Sequence, residues 1–119
     1  MARHPELIAQ DDLEAEMRRL SGLLDQATSK IAYRETRAAQ AKVEYEIAYA
    51  KRLLQVEAKT VDERKAIATV DTADEYMRFR VAEAVARAAS EAARNFRAQL
   101  SAVQTVSANQ RYMIDRGIG

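Results

Sequence analysis

The feature that most constrains the fold of this chain is a repeat in which apolar residues follow one another at alternating steps of four and three. The repeat begins at Leu13 and ends at Ala48, and only Arg34 interrupts it. Such a spacing places all members on one face of an α-helix. The members are Leu13, Met17, Leu20, Leu24, Ala27, Ile31, Ala38, Ala41, Tyr45 and Ala48. A second stripe, which we expect to widen this face, consists of Val43, Ile47, Ala50 and Leu54. The pattern predicts one helix over about residues 11–58.

Another apolar stripe, in the last third of the chain, predicts a second long helix over about residues 73–116. Its members are Met77, Val81, Ala84, Ala88, Ala92, Phe96, Leu100, Val103 and Val106. Gly117 follows this helix directly, and glycine readily takes the left-handed conformation with which many helices end.

The segment between the two stripes carries two signals for the start of a helix. Thr60-Val61-Asp62-Glu63 fits the capping box, in which the hydroxyl accepts a hydrogen bond from the third helical N–H and the glutamate reaches back. Thr72-Ala73-Asp74-Glu75 repeats the pattern. Either a short helix over about residues 61–70 precedes the second long helix, or one helix runs through with a kink; we prefer the short helix.

The two long stripes match as antiparallel partners when the turn centres near residue 60. The expected pairs are Leu13 with Val106, Met17 with Val103, Leu20 with Leu100, Leu24 with Phe96 and Ala27 with Ala92. The sequence has three glycines and one proline, and it lacks the regularly spaced turn signals that a sheet requires. We therefore predict an all-α fold, a long antiparallel helical hairpin that resembles a coiled coil, with residues 1–119 as a single domain.

Oligomerisation is the expected consequence of this architecture. A two-helix hairpin buries one stripe of each helix and is marginally stable alone. We expect the second stripe, together with Tyr49, Phe79 and Val85, to pack on another copy or on the short helix. The simplest assembly is a homodimer that forms a four-helix bundle.

Most catalytic and cofactor sites are excluded by the residues available. The chain has no cysteine and a single histidine, His4, so thiolate sites, catalytic triads and histidine–carboxylate metal sites have no basis. The glycines stand too far apart to form a phosphate-binding loop. Glu44 and Glu46 point to different faces of a helix and cannot act as a carboxylate pair. We predict a protein that is not an enzyme and has no metal or cofactor. We also expect no secretory signal and no membrane span, and hence a cytoplasmic protein.

Basic residues are the candidates for a binding surface. The segments 26–59 and 76–119 are net basic, whereas 1–25 and 60–75 are net acidic. Arginine suits bidentate contacts to phosphate, so a basic face in the middle of the hairpin predicts nucleic-acid binding. The candidate residues are Lys30, Arg34, Arg37, Arg80, Arg87, Arg94 and Arg97. The alternative is an ordinary solvated surface, with Glu35, Glu83 and Glu91 as partners of the arginines.

Seven aromatic residues allow two interpretations. Tyrosine and phenylalanine rings provide stacking platforms for single-stranded bases. At helical spacing, however, aromatic rings more often pack in the seam or at an interface, with the hydroxyl at the rim. The residues are Tyr33, Tyr45, Tyr49, Tyr76, Tyr112, Phe79 and Phe96.

Three segments resemble a pattern in small helical proteins of tailed bacteriophages. They are Lys42-Val-Glu-Tyr-Glu-Ile-Ala-Tyr-Ala-Lys51, Thr60-Val-Asp-Glu-Arg-Lys-Ala66 and Ala98-Gln-Leu-Ser-Ala-Val-Gln104, so that the likeness covers about residues 30–107. Such proteins tend to be encoded among phage replication and recombination genes, and most have no assigned activity. The resemblance implies a phage origin and an accessory role in DNA metabolism, and it supplies no functional residues.

Two functions are therefore expected from the sequence. The first is an oligomeric phage accessory protein of DNA recombination or replication, which binds DNA, a recombination protein or both. The second is a protein–protein interaction module without nucleic-acid contact, such as an inhibitor of a host factor or a virion assembly component. In that case the acidic segments 1–25 and 60–75, or the second apolar stripe, provide the contact surface.

Overall fold

The computed structural model describes residues 8–117, and these residues form three α-helices. Helix α1 spans Gln10–Gln55, α2 spans Val61–Asp71 and α3 spans Ala73–Asp115. The predicted all-α fold is confirmed, and a separate short helix, rather than one helix with a kink, joins the long ones. Helix α1 ends three residues before the predicted boundary, and Val56, which follows it, is buried in the connection to α2. His4 and Ile118 lie outside the described residues.

The ends of the helices show how local chemistry sets their limits. The Thr60 hydroxyl accepts a hydrogen bond from the Glu63 backbone N–H at 3.1 Å, so the first predicted cap is confirmed. The second predicted box is wrong in its hydroxyl contact, because Thr72 Oγ1 donates to the Ala68 carbonyl at 2.7 Å and so closes α2 instead of opening α3. Gly117 has a φ of 70°, as predicted for a helix end.

The contacts divide the chain into two compact units. The terminal unit comprises residues 1–29 and 90–119, and the central unit comprises residues 30–89. Parts of α1 and α3 belong to each unit, and α2 belongs to the central one. Among the described residues, no helix has the length and apolarity needed to cross a membrane.

In the terminal unit, buried side chains recur every seven residues on α1 and stand fourteen residues apart on the facing side of α3. Helix α1 buries Leu13, Leu20 and Ala27, and α3 buries Ala93 and Ser107. Hydrogen bonds also join the helices: the Ile8 N–H donates to Gln110 Oε1 at 2.8 Å, and Ser107 Oγ donates to Gln10 Oε1 at 3.3 Å. These bonds lie close to the predicted antiparallel register.

The predicted stripe of α3 is wrong at several of its positions. Val106, Met77 and Val81 are exposed, whereas Ser107 and Ala86 are buried. The predicted stripe takes four successive steps of four between Ala84 and Leu100, and each step of four rotates the position by about 40° around a helix. The two ends of that stripe therefore lie on different faces.

In the central unit, α1 contributes half-buried side chains to the core, among them Tyr45 and Tyr49, but no fully buried one. Between residues 30 and 55, all of which the structure describes, no side chain of α1 is buried. The second stripe of α1 does not widen the packed face as predicted, because Val43, Ile47 and Leu54 are exposed. At about 100° per residue, that stripe lies on the side of α1 opposite to Tyr45 and its seam neighbours. Helix α1 is thus apolar on two opposite sides in this unit.

Candidate interaction groove

An open groove lies between α1 and α3 in the central unit. Its volume is about 460 Å³. Tyr33 and Ala41 of α1 contribute apolar surface to the lining, as do Met77, Val81 and Val85 of α3. Two of these large side chains are well exposed, Tyr33 at 60% and Met77 at 62%. The groove is therefore an apolar surface that the described part of the chain leaves open to solvent.

The break in the apolar repeat explains the position of the groove. Arg34 stands in α1 at a seam position where the repeat otherwise places alanine, leucine or another apolar residue. A guanidinium is costly to bury without a partner, and Arg34 is exposed at the groove lining. The buried residue of α3 in this region is Ala86, whose side chain fills little space. Because Arg34 turns its long side chain outward and Ala86 fills little space inside, the two helices are incompletely packed here.

Three arginines give the groove its electrostatic character. Arg34 and Arg37 of α1 and Arg78 of α3 all contribute to its lining, together with one carboxylate, Glu44. The Arg34 guanidinium carbon lies 5.9 Å from the centre of the Tyr33 ring, which is within the range of a cation–π contact. Arg78 Nη2 lies 3.6 Å from Glu75 Oε1, in a pair whose arginine side chain is 65% exposed and whose glutamate side chain is 29% exposed. Exposed pairs are weak and screened, so Arg78 remains available to an anionic partner.

The structure brings together some of the predicted basic residues and separates others. Of the seven, Arg34 and Arg37 line the groove, whereas Lys30 is exposed on α1 outside its lining. Arg80 Nη1 and Arg87 Nη2 lie 3.6 and 3.8 Å from Glu83 Oε1, in the pairing that the solvated-surface alternative describes. On a helix with about 100° per residue, this ridge points away from the groove. Arg94 and Arg97 are exposed residues of the terminal unit.

Arg78 is the groove residue that the sequence reasoning missed. Arg78 is not three, four or seven residues from another arginine of α3, and so it is not in the predicted basic set. The antiparallel register did contain the necessary signal, because it places residue 78 opposite residues 41 and 42. Arg78 therefore comes close to Arg37 and Glu44 along the hairpin.

Four of the seven aromatic residues pack against one another near the groove. The Tyr45 ring lies 5.2 Å from that of Tyr76, 6.1 Å from that of Tyr49 and 6.3 Å from that of Phe79, measured between ring centres. These distances are typical of aromatic pairs that stabilise packing. The cluster thus has the geometry of the packing interpretation, and Tyr33 is the aromatic residue of the groove itself.

Similarity to known proteins assigns no role to this groove. Among the described residues, no group of three or more histidine, cysteine, aspartate or glutamate side chains is placed to hold a metal ion. No family model matches the chain, and neither the curated proteins nor the solved structures give a match.

Proposed function

We propose that the chain is a protein–protein interaction module without catalytic activity, and that its groove binds an acidic amphipathic helix. The observation that carries the proposal is the groove of the central unit, where exposed apolar side chains and three arginines share one lining. Exposed apolar surface of this kind is characteristic of interaction sites. Helices commonly bind in such grooves by their apolar face.

The dimensions and the charge of the groove define the partner. Its α1 wall runs from Tyr33 to Glu44, a length of about 16 Å at 1.5 Å per residue, which matches about three turns of a bound helix. Apolar residues at positions i, i+4 and i+7 of the partner would contact Met77, Val81 and Val85. Carboxylates beside them would meet Arg34 and Arg37, and complementary charge contributes mainly to specificity and to the rate of association.

The setting of this interaction comes from the resemblance to phage proteins. We propose that the partner is a protein of phage DNA recombination or replication, and that the two proteins meet in the host cytoplasm. The absence of a catalytic role is likewise a proposal, supported by the residue types that the sequence lacks.

A second candidate function is contact with single-stranded nucleic acid in the same groove. The observation in its favour is that the exposed ring of Tyr33 lies beside Arg34 and close to Arg37, a combination that suits a base and its phosphates. The apolar side chains of α3 argue for the protein partner, because they have no counterpart in a phosphate backbone.

Fluorescence anisotropy with two labelled probes tests both candidates. The first probe is a designed amphipathic helical peptide with leucines on one face and glutamates beside them, and a version with lysines for the glutamates serves as its control. The second probe is a single-stranded oligothymidine. The protein variants are Arg34→Glu/Arg37→Glu in the groove and Arg80→Glu/Arg87→Glu, which makes the same charge change on the opposite side of α3.

We expect the acidic peptide to bind, the basic peptide to bind at least tenfold more weakly, and the groove variant alone to lose the acidic peptide. Binding of the oligonucleotide without the peptide, lost steeply between about 50 and 200 mM salt, would replace the proposal by the nucleic-acid function. Binding of neither probe, or equal losses in both variants, would overturn the groove as the functional site.

A further inference from the structure

We infer that the outer stripe of α1 pairs with the same stripe of a second copy, antiparallel and across a two-fold axis. The stripe consists of Val43, Ile47, Ala50 and Leu54, which lie in the central unit. This inference does not rest on the function proposed for the groove, because the apolar residues of the stripe lie on the side of α1 opposite to the seam. Glu44, which flanks the stripe, also lines the groove.

The stripe is an uncovered apolar surface on a regular helix. Leu54 is 88% exposed and Val43 is 53% exposed, and Ile47 and Ala50 are also exposed. Steps of four, three and four separate its members, which is the spacing with which helices pack on helices in coiled coils. From Val43 to Leu54 it extends about 16 Å. A second helix with the same spacing therefore fits along it.

Charge complementarity identifies the second helix as another copy of α1. In a two-fold antiparallel pair, Val43 of one copy faces Leu54 of the other, and Ile47 faces Ala50, so that the apolar residues form one continuous seam. The flanking position occupied by Glu44 in one copy then faces the position of Lys51 in the other. Because of the two-fold axis, the dimer contains this Glu44–Lys51 ion pair twice.

The exposed apolar stripe of α3, part of which also lines the groove, does not pair with itself in the same way. It consists of Met77, Val81, Ala84 and Ala88, of which Met77 and Val81 are exposed large residues. An antiparallel pair of these stripes would place Arg80 of one copy opposite Arg87 of the other, twice. Like charges that face one another across helices are unfavourable, so α1 is the self-complementary helix.

Sedimentation equilibrium from about 1 μM to about 1 mM protein, the range of weak interfaces, tests the pairing. We expect the mass to rise with concentration from one chain, 13.4 kDa, to two. Glu44→Lys and Lys51→Glu should each weaken association at least tenfold, and the double variant should restore it. Glu35→Lys and Lys42→Glu make the same charge changes away from the stripe and should leave it unchanged. A mass of one chain throughout, or no restoration in the double variant, would overturn the inference.

Disulfide formation tests the register independently, because the chain has no cysteine of its own. Mixing the single variants Val43→Cys and Leu54→Cys should yield mainly the mixed disulfide. In the proposed pair, two copies of position 54 are about 16 Å apart, well beyond the reach of a disulfide of roughly 7 Å between Cα atoms. Disulfides that join 54 to 54 in preference would show a parallel pair and contradict the inference. The Arg34→Glu/Arg37→Glu variant should dimerise normally, which separates this result from the fate of the groove.

Discussion

The side chain of Gln110 binds both backbone groups of Ile8. Its Oε1 accepts a hydrogen bond from the Ile8 N–H at 2.8 Å, and its Nε2 donates to the Ile8 carbonyl oxygen. Gln110 is buried, whereas Ile8 is 47% exposed, so each of the two bonds should contribute as an ordinary hydrogen bond, about 0.5–1.5 kcal/mol. The amide of Gln110 thus attaches the segment that precedes α1 to the last turns of α3.

Gln110→Ala is accordingly expected to lower the free energy of unfolding by about 1–3 kcal/mol, since it leaves both groups of Ile8 without this partner. Urea denaturation followed by circular dichroism measures the change. Gln104→Ala is the matched control, because Gln104 is an exposed residue of the same helix and should change stability by less than about 0.5 kcal/mol. Equal stability of the two variants would show that the contact has no energetic role.

Gly22→Ala is expected to stabilise the protein. A Cβ placed at Gly22 meets nothing within 4 Å, and the residue is exposed within α1. Alanine is favoured over glycine in the interior of a helix by about 1 kcal/mol. Thermal unfolding should show a higher midpoint, whereas Gly117→Ala should lower it, because Gly117 has a φ of 70°. A lower midpoint for Gly22→Ala would reveal a contact with another chain.

Leu20→Ala and Leu54→Ala remove the same atoms from the same helix with different expected results. Leu20 is 1% exposed, so its truncation should destabilise the fold by about 2–5 kcal/mol, from lost burial and the cavity left behind. Leu54 is largely exposed, and its truncation should change the stability of the single chain by less than about 0.5 kcal/mol. Denaturation at micromolar concentration measures both. A large effect of Leu54→Ala under those conditions would mean that this side chain is covered within one chain.

The pair of Glu16 and Arg19 gives α1 a dependence on pH. Arg19 Nε lies 3.0 Å from one carboxylate oxygen of Glu16 and Nη2 lies 2.5 Å from the other. Hydrogen bonding by Arg19 lowers the pKa of Glu16 below its ordinary value of 4.5. A carboxyl group with a lowered pKa stabilises the fold at pH values above its unfolded pKa, and the effect disappears as the pH falls through the folded pKa.

We therefore expect the NMR titration of the Glu16 carboxyl to have its midpoint below the ordinary value of 4.5. Arg19→Gln should raise the Glu16 midpoint. Both partners are exposed, so the accompanying loss of helix stability at low pH should be small and should shrink with added salt. If the Glu16 midpoint were unchanged in Arg19→Gln, the hydrogen bonds from Arg19 would not be the cause of the lowered pKa.

The helices were predictable because their signals are local. The repeat from Leu13 onwards, the Thr60 cap and the terminal Gly117 act within a few residues, and each predicted feature is present. The faces of the helices were harder to predict. Apolar residues occur on two sides of both long helices in the central unit, so period alone could not decide which stripe packs inward. That is why Met77 and Val81 were assigned to the seam, although both are exposed.

The groove was predictable only in part. Arg34 interrupts the apolar repeat of α1, and Arg37 lies on the same side of that helix. The basic residues of the α1 wall could therefore be predicted from the sequence. The other wall contains Arg78, whose role depends on the register between two helices that are far apart in the chain. The pairing of Arg80 and Arg87 with Glu83, by contrast, is local to one helix, and the sequence already indicated it.

The absence of buried side chains from residues 30–55 of α1 has a consequence for local unfolding. Amide hydrogens exchange through the openings that require the least free energy, and a helix with few buried contacts opens more readily than one with a packed core. Amides around Leu20 should therefore exchange through unfolding of the terminal unit, whereas those between Arg34 and Leu54 should exchange through smaller, local openings. Any partner that covers this segment would slow the exchange, because binding of the partner and ordering of this part of the helix would be thermodynamically coupled.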